Sequence, residues 1–280
     1  MKTIQKTAIG AAAVALLSGL ACSAAFAADT PANPEDAGLP ISANVTVVSD
    51  YRYRGISQSN FKPAIQGGFD YAHESGFYIG NWNSSISWIS DAASAGGSKN
   101  VSAPIEMDFY AGVKKELIGE GFASDLGVLQ YYYPTSGLPS SATNPNTTEI
   151  YAAQNFTFGP VTGFAKFSYA VTNTFGFTNS SGSYYPDLTM NYDTGVWGVA
   201  VNAHVGYQYI AGQAVVKGVP TANYTDWKLG LTKDFGGGLS LAAAYIGTNA
   251  AKSGSTYAYQ SPSGKNLGGS TGIVSLTKTF

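Results

Sequence analysis

The sequence contains very little cysteine, histidine and charge. Its single cysteine, Cys22, lies in the N-terminal segment, so the remainder has no disulfide framework and no thiol chemistry. Charged residues make up 11% of the chain, against about 25% in a typical soluble domain. Lys and Arg number 15 against 17 Asp and Glu, so no basic excess suits nucleic acid as a partner.

Long apolar runs are also missing after the first 27 residues. A membrane-spanning helix needs about 20 consecutive apolar residues, and no later stretch is that long. Aromatic residues nevertheless make up 13% of the chain, with 19 Tyr, and Gly numbers 34. A membrane protein without such runs must be a closed β-barrel, because only helices and closed barrels satisfy every backbone polar group in lipid.

The N-terminus has the layout of an export signal. Lys2 and Lys6 precede an uncharged stretch over residues 7–20, and Ala25-Phe-Ala27 follows as a small-residue cleavage site. We therefore predict a signal peptide over residues 1–27 that is cleaved after Ala27, with an uncleaved membrane anchor as the alternative. Residues 28–42 are rich in proline and predict a periplasmic linker, which leaves 43–280 for a single domain.

Short alternating segments follow one another through this domain. The fourth segment is an example, with Ile105, Met107 and Phe109 on one face and Glu106 and Asp108 on the other. Strands are predicted near residues 43–54, 63–72, 77–89, 104–114, 124–133, 148–158, 161–170, 184–192, 197–209, 224–232, 239–247 and 272–280. The fifth and sixth segments alternate poorly, and their register would turn Gln154 towards lipid.

The connections between these segments are alternately long and short. Tight turns near 73–76, 158–160 and 193–195 alternate with long polar stretches such as 134–147 and 248–270. Outer-membrane barrels have this layout, with long outer loops, short periplasmic turns and an even strand number, whereas Greek-key sandwiches do not. We predict an all-β fold, a transmembrane up-and-down antiparallel β-barrel of about twelve strands in the bacterial outer membrane; ten or fourteen strands remain compatible.

Aromatic residues fall near the ends of the predicted strands, as in the aromatic girdles of membrane barrels. The predicted girdle residues are Tyr53, Trp88 and Tyr207 at the outer ends, and Phe69, Tyr71, Tyr192, Trp197 and Phe280 at the inner ends. Because tyrosine is also common in ordinary strands, this pattern alone is weak support.

Several sequence blocks resemble a known family. They are Ser49-Asp-Tyr-Arg-Tyr-Arg-Gly-Ile-Ser-Gln-Ser59, Pro63-Ala-Ile-Gln-Gly-Gly-Phe-Asp-Tyr71, Gly76-Phe-Tyr-Ile-Gly-Asn-Trp-Asn83, Tyr131-Tyr-Tyr-Pro134 and Leu276-Thr-Lys-Thr-Phe280. Together they resemble the TorF-family porins of Gram-negative outer membranes. The resemblance implies a barrel that works as a passive channel, with no assigned substrate or site residues. As in other barrels, Phe280 would be the signal read by the barrel-assembly machinery.

Directing the apolar faces outward leaves the charged side chains inside. An Arg or Lys on the lipid face near mid-membrane costs roughly 2–4 kcal/mol, which supports the inward assignment. The candidate lumen residues are Asp50, Arg52, Arg54, Asp70, Glu106, Asp108, Lys114, Asp125, Glu149, Lys166, Asp187, Asp226 and Lys228. With eight acids against five bases, we expect a weakly acidic, cation-preferring lumen that passes ions or small hydrophilic solutes.

The width of this lumen decides between two functions. Eight strands enclose only side chains and sixteen to eighteen leave a channel, so twelve strands predict a narrow pore, which a long loop could narrow further. Inward glycines favour open space, namely Gly68, Gly80, Gly112, Gly206 and Gly230. The alternative is a closed structural or surface-binding barrel, in which the charges pair across strands and no pore is open.

The predicted outer loops contain five lysines, Lys62, Lys99, Lys217, Lys252 and Lys265, against Asp91. Lysine is a good point-charge partner for phosphate, so these residues are candidates for contact with lipopolysaccharide in the outer-membrane lipid. Ordinary solvated loop charges would give the same composition.

Enzymatic function has little support in the sequence. The two histidines are His73, in a predicted tight turn, and His204, which alternation directs to the lumen, and no G-x-S-x-G motif is present. We therefore predict a protein that is not an enzyme and that uses no cofactor or metal.

Overall fold

The computed structural model describes residues 41–98, 100–214 and 216–280. Within these ranges twelve antiparallel strands close into one barrel. Neighbours in the barrel follow chain order, and the first and last strands pair to close it. This confirms the predicted all-β up-and-down architecture and its strand number. The predicted signal and all but the last two residues of the predicted linker lie outside the described residues.

The barrel strands have the following bounds: β1 (Ile41–Val48), β4 (Ala64–Ala72), β5 (Phe77–Ser85), β6 (Ile105–Gly119), β7 (Phe122–Tyr132), β8 (Thr147–Phe158), β9 (Val161–Ala170), β10 (Tyr184–Asp193), β11 (Val199–Gln208), β12 (Tyr224–Asp234), β13 (Leu239–Thr248) and β16 (Thr271–Thr279). Two hairpins lie in the connections, β2 (Arg52–Tyr53) with β3 (Ile56–Ser57), and β14 (Lys252–Ser253) with β15 (Thr256–Tyr257). The helix α1 (Trp88–Ala95) lies between β5 and β6. No helix in the described part of the chain is long and apolar enough to cross a membrane.

Alternation along the strands sorts side chains between two surfaces. On β1, Val45 and Val47 point outward and are exposed, whereas Thr46 between them is buried inside the barrel. The same alternation on the other strands gives an outer surface of exposed apolar residues such as Ile65 and Leu229. An apolar band of this kind is typical of a barrel whose outer face contacts lipid.

The register of β7 and β8 does turn Gln154 to the outer face, as the sequence suggested. Ser124 is its partner in the register, and Ser124 Oγ donates a hydrogen bond to Gln154 Oε1 at 2.8 Å. Alternation directs Ala123 and Asn155 to the inside. The poor alternation in these strands therefore reflects a polar pair on the outer face, and the register itself is regular.

Two predicted strands are shorter than expected. β1 ends at Val48, whereas the prediction extended it to residue 54, and β5 ends at Ser85, whereas the prediction extended it to 89. The extra residues leave the barrel wall because their side chains pack inside the mouth of the barrel. Residues 88–95, most of which were predicted as loop, form α1.

Two predicted girdle residues belong to this inner packing. Tyr53 is buried inside the barrel, and Trp88 packs against Tyr133 with ring centroids 5.4 Å apart, so neither lies on the outer surface. Tyr71 is half-buried on the outer face. The other predicted girdle residues are exposed, namely Phe69, Tyr192, Trp197, Tyr207 and Phe280.

Candidate functional site in the barrel lumen

Residues 49–63, here called the inner segment, leave the end of β1 and fold into the lumen. Tyr51, Arg52 and Arg54 are each less than 5% exposed. Asp50 holds the start of the segment, since its carboxylate accepts hydrogen bonds from Arg52 Nε and from Ser57 Oγ, both at 2.6 Å. The prediction that residues 43–54 form one strand is therefore wrong, because β1 ends at Val48 and residues 52–57 form a separate hairpin.

Arg54 carries the inner segment across the lumen. Its Nη2 donates to Glu149 Oε2 on β8 and its Nη1 donates to Gln208 Oε1 on β11, both at 2.7 Å. Arg54 is a non-glycine residue at φ +43°, an uncommon conformation that persists only where the surroundings enforce it. Its guanidinium lies 4.1 Å from the ring centroid of Tyr185. Because β8 and β11 lie three strands apart on the side of the barrel that faces β1, this side chain ties the segment to the far wall.

A second set of bonds fixes the remainder of the inner segment. Arg52 Nη1 donates to the carbonyl oxygens of Leu267 and Gly269, at 2.8 and 3.1 Å, in the connection between β13 and β16. Tyr51 donates its hydroxyl to Glu106 Oε1 at 2.5 Å. Burial, together with the negative charge of Glu106, raises the pKa of the Tyr51 phenol, so the hydroxyl keeps its proton and remains a donor.

Tyrosine rings cover glycines on the inner wall. In the register of β5 and β6, Tyr78 is paired with Gly112 and Gly80 is paired with Tyr110. A Cβ added at either glycine would overlap the ring of the opposite tyrosine. Tyr110 crosses Gly80 and donates its hydroxyl to Asp70 Oδ1 on β4 at 2.5 Å. The absence of a side chain on glycine lets the ring lie against the wall and reach a carboxylate two strands away.

The same arrangement occurs on the opposite wall. Tyr185 on β10 lies over Gly206 on β11 and donates to Asp226 Oδ2 on β12 at 2.7 Å. His204 Nε2 lies 3.0 Å from Asp226 Oδ1, and Thr189 bonds the other ring nitrogen. The prediction that inward glycines leave open space is therefore wrong. At Gly80, Gly112 and Gly206 the space is filled by a tyrosine ring from a neighbouring strand. At the other two predicted positions, Gly68 and Gly230, an added Cβ would overlap atoms of the adjacent strand.

A row of charged side chains crosses the lumen wall from β6 to β12. Successive register positions place Lys114 beside Asp125, and Lys166 beside Asp187, with Asp226 at the end of the row. Alanine or glycine occupies the two intervening positions. Neither Lys114 Nζ nor Asp187 Oδ1 has a hydrogen-bond partner among the residues that the structure describes. Because a buried charged atom that makes no hydrogen bond is costly even beside an opposite charge, such groups call for water inside the barrel.

The structure places all of the candidate lumen residues inside the barrel. Asp50, Arg52 and Arg54 lie on the inner segment. The remaining candidates lie on the inner faces of strands, namely Asp70, Glu106, Asp108, Lys114, Asp125, Glu149, Lys166, Asp187, Asp226 and Lys228. Nine of the thirteen fall into groups. Arg54 joins Glu149, Arg52 joins Asp50, and the row consists of Lys114, Asp125, Lys166, Asp187 and Asp226. Among the described residues no group of three or more His, Asp or Glu could hold a metal ion.

Sequence reasoning missed the inner tyrosines and Gln208. A signal for part of this set is present, because Tyr78 and Gly80 are two residues apart on β5, and Tyr110 and Gly112 are two residues apart on β6. Antiparallel pairing of two such strands places each ring over the opposite glycine. No comparable local signal marks Gln208, whose Oε1 accepts from a distant arginine while its Nε2 donates to the Tyr209 carbonyl at 3.1 Å.

The outer loops and the C-terminus hold the remaining predicted residues. Phe280 is exposed, and its backbone N–H donates to the Ala43 carbonyl at 2.8 Å where the barrel closes. The ammonium group of Lys278 donates to the Gly237 carbonyl in the turn between β12 and β13, so its stem reaches towards the barrel end. Lys62, Lys217, Lys252 and Lys265 are exposed on the outer loops, and Lys99 lies outside the described residues.

Solved structures of porins match this chain at low sequence identity. The porin NanC matches with a TM-score of 0.52 at 8% identity, over 86% of this chain and 98% of its own. The KdgM porin, solved in complex with disordered oligogalacturonate, matches with a TM-score of 0.49 at 8% identity over the same shares. OprD from Pseudomonas aeruginosa matches with a TM-score of 0.38 at 11% identity, over 86% of this chain and 65% of its own. At these identities the NanC likeness shows a shared barrel fold alone.

Matches at the level of sequence are fewer. No curated protein matches this chain. A family model described as a bacterial protein of unknown function, Gcw_chp, matches residues 32–280, which include the whole barrel. The chain therefore belongs to the Gcw_chp family of bacterial proteins.

Proposed function

We propose that the chain is an outer-membrane porin that allows passive diffusion of ions or small hydrophilic solutes. It would be exported through a signal cleaved after Ala27 and assembled by the barrel-assembly machinery, and it would catalyse no reaction. An apolar outer surface around a charged interior supports this proposal. The resemblance of residues 49–83 to TorF-family porins also supports it.

The row of charges on the inner wall is the observation that carries the proposal. A sealed, dry barrel has no physical reason to enclose Lys114 and Asp187 with polar atoms that no described protein group hydrogen-bonds; the contact recorded at Asp187 Oδ1 is His204 Nδ1 at 3.9 Å, which is too long for a hydrogen bond. Asp108 Oδ1 on β6 is also buried without a hydrogen-bond partner among the described residues. Enclosed ionic groups of this kind are stable in a lumen that water enters, and a lumen that water enters on both sides is a pore.

The balance of charge inside the barrel gives the proposed selectivity. The inner segment and inner faces together contain eight acids and five bases. Two of these bases form ion pairs, Arg54 with Glu149 and Arg52 with Asp50. Each pair has no net charge, so the excess of acids comes from the other lumen residues. A lumen with surplus carboxylates favours cations, since rings of acidic side chains set cation selectivity in channels.

Single-channel recording tests this function directly. The mature protein, purified as a folded heat-modifiable barrel, is inserted into planar bilayers between KCl solutions of unequal concentration. We expect discrete conductance steps whose size increases with the KCl concentration. We also expect a reversal potential whose sign shows that K⁺ passes more readily than Cl⁻. Replacing Asp125 and Asp187 with asparagine should reduce that potential. A reversal potential of the opposite sign would contradict the acidic lumen.

A closed structural or surface-binding barrel is the second candidate function. The inner segment favours it, because Tyr51, Arg52 and Arg54 are buried and bonded to several walls. Tyrosine rings also fill part of the remaining space. Under this alternative, a correctly folded barrel never conducts at any salt concentration, whereas the porin proposal requires at least brief openings.

A further inference from the structure

A cleft of about 500 Å³ lies on the outside of the barrel at its extracellular end. Its walls come from the ends of β7 and β8 and from the connections β7–β8 and β9–β10. Gln130, Tyr132 and Thr148 are among the residues that line it. Their chain neighbours Tyr131 and Glu149 are buried inside the barrel, so alternation directs the lining residues outward. The cleft therefore opens to the surroundings of the barrel and not into the lumen.

Apolar side chains of the outer face lie directly below the cleft. The next outward row in the register consists of Val128, Ile150 and Tyr169, and all three are exposed. Tyr169 pairs with Tyr184, whose ring stacks on that of Tyr209 with centroids 4.8 Å apart. Amphipathic rings favour the headgroup level of a membrane. The cleft therefore lies where lipid headgroups meet the barrel.

Three asparagines in the cleft have the same hydrogen-bonding role. Asn146 Oδ1 accepts from the Tyr133 backbone N–H at 2.8 Å, and Asn144 Oδ1 accepts from the backbone N–H of Asn146 at 2.9 Å. Asn173 Oδ1 accepts from the Ser180 backbone N–H at 3.0 Å. Because an N–H can bond only to the oxygen end of an amide, these bonds fix the orientation of each side chain. The –NH₂ end of each asparagine is the end that remains for a ligand.

These three amide nitrogens are free and accessible. None of them donates to any residue that the structure describes. Asn144 is exposed, whereas Asn146 and Asn173 are half-buried and their nitrogens are not enclosed by the protein. Gln130 and Thr148, by contrast, already bond each other, since Thr148 Oγ1 donates to Gln130 Oε1 at 2.6 Å. The groups that the cleft offers are therefore the asparagine donors.

The described wall of the cleft carries no charge. Its lining residues are all neutral, and the connections 133–146 and 171–183 contain no Asp, Glu, Lys, Arg or His. A cation would find one tyrosine ring and no carboxylate there, and an apolar group would remove water from three amides without replacing its hydrogen bonds. A sugar hydroxyl also donates, but the asparagine oxygens are already occupied. A group that only accepts hydrogen bonds fits best, and ionised phosphate is such a group.

We propose that this cleft binds a phosphate of lipid A, the membrane part of lipopolysaccharide. The phosphate oxygens accept from the asparagine amides, in charge-assisted bonds that are roughly twice as strong as neutral ones. The Tyr132 hydroxyl has no partner among the described residues and can donate as well. The acyl chains lie along Val128 and Ile150 below. Neutral donors beside an apolar surface select an anion carried by a lipid, whereas lysines would attract any anion.

The site is separate from the lysines of the outer loops. Lys62, Lys217, Lys252 and Lys265 all lie on other connections. The inference rests on the proposed outer-membrane location and does not depend on conduction through the lumen.

The test is a titration of the folded full-length mature protein with diphosphoryl lipid A, followed by native mass spectrometry. We expect saturable binding of lipid A, with much weaker binding of dephosphorylated lipid A and of phosphatidylglycerol. Asn146→Asp and Asn173→Asp each keep the oxygen that accepts the backbone N–H and replace the free –NH₂ with an anionic oxygen. Each should raise the dissociation constant for lipid A roughly 10- to 140-fold, as the loss of one hydrogen bond to a charged group requires.

A matched control separates the cleft from a general effect of charge. Asn249 Oδ1 accepts from the Thr225 backbone N–H at 2.7 Å in the connection after β13, so Asn249→Asp makes the same exchange away from the cleft. It should leave the dissociation constant unchanged, and an equal loss in this variant would overturn the proposal.

The other probes decide what the cleft recognises. Equal binding of dephosphorylated lipid A would exclude the phosphate as the bound group, and equal binding of phosphatidylglycerol would exclude lipid A as its source. Displacement of lipid A by millimolar inorganic phosphate would show that the cleft binds a free anion, which also overturns the proposal. Conduction without lipid A binding refutes this site and leaves the porin proposal intact. Lipid A binding by a barrel that never conducts does the reverse.

Discussion

Arg54 offers the sharpest test of whether the inner segment controls passage through the barrel. Its side chain is 5% exposed and that of Glu149 is 3% exposed, with 2.7 Å between the paired atoms. Breaking a buried ion pair by removing one partner costs about 3–5 kcal/mol, because the other charge is left uncompensated. We call the barrel closed when the inner segment occupies the lumen and open when the segment has moved away. In Arg54→Gln only the closed state is destabilised, because Glu149 is buried without its partner there and is solvated in the open state.

This cost converts into a shift between closed and open states. Each 1.4 kcal/mol is a factor of ten, so the closed arrangement should lose roughly 100- to 4,000-fold in relative population. We expect Arg54→Gln to show larger conductance steps or a much higher open fraction than the wild-type protein in planar bilayers. Cation preference should also increase, because one base leaves the lumen.

The double variant Arg54→Gln/Glu149→Gln is the matched control. It removes both charges, so the closed arrangement no longer contains an unpaired carboxylate, and conductance should return towards the wild-type value. Heat-modifiable migration on gels confirms that each variant is folded before recording. If Arg54→Gln folds and conducts like the wild-type protein, the inner segment does not limit passage and the reasoning fails.

Three further predictions concern packing, assembly and the cell surface. Gly206→Ala should destabilise the barrel by about 1–3 kcal/mol in urea unfolding, because the new Cβ overlaps the Tyr185 ring, whereas Gly272→Ala, with no atom within 4 Å, should be neutral. Equal midpoints for the two would contradict the tyrosine–glycine packing. Deleting Phe280 should reduce the heat-modifiable fraction recovered from outer membranes, and normal recovery would exclude it as the assembly signal. Exchanging exposed loop lysines for glutamate should lower co-purified lipopolysaccharide, and an unchanged amount would show that they are ordinary solvated charges. The lysines to exchange are Lys62, Lys217, Lys252 and Lys265.

The sequence by itself determined the barrel, a strand number of about twelve and the sorting of side chains between its faces. These properties depend on local rules: alternation with period two directs Val45 outward and Thr46 inward, and glycine-rich turns separate the strands. Membrane chemistry adds one global rule, that a spanning sheet must close. Charged residues such as Glu106 and Asp226 therefore had only one side of the wall to occupy.

Tertiary structure alone decided what fills the lumen. The stretch Asp50-Tyr-Arg-Tyr-Arg54 alternates as well as any strand, but it is held inside the barrel by distant partners. Glu149 and Gln208 bond Arg54, and Glu106 bonds Tyr51. Trp88 likewise suits a lipid interface, and only its packing on Tyr133 inside the loops reveals otherwise. Local patterns determine on which face of a strand a side chain lies. Which groups meet across a closed barrel depends on cross-strand register and on how the connections fold, and these exist only in three dimensions.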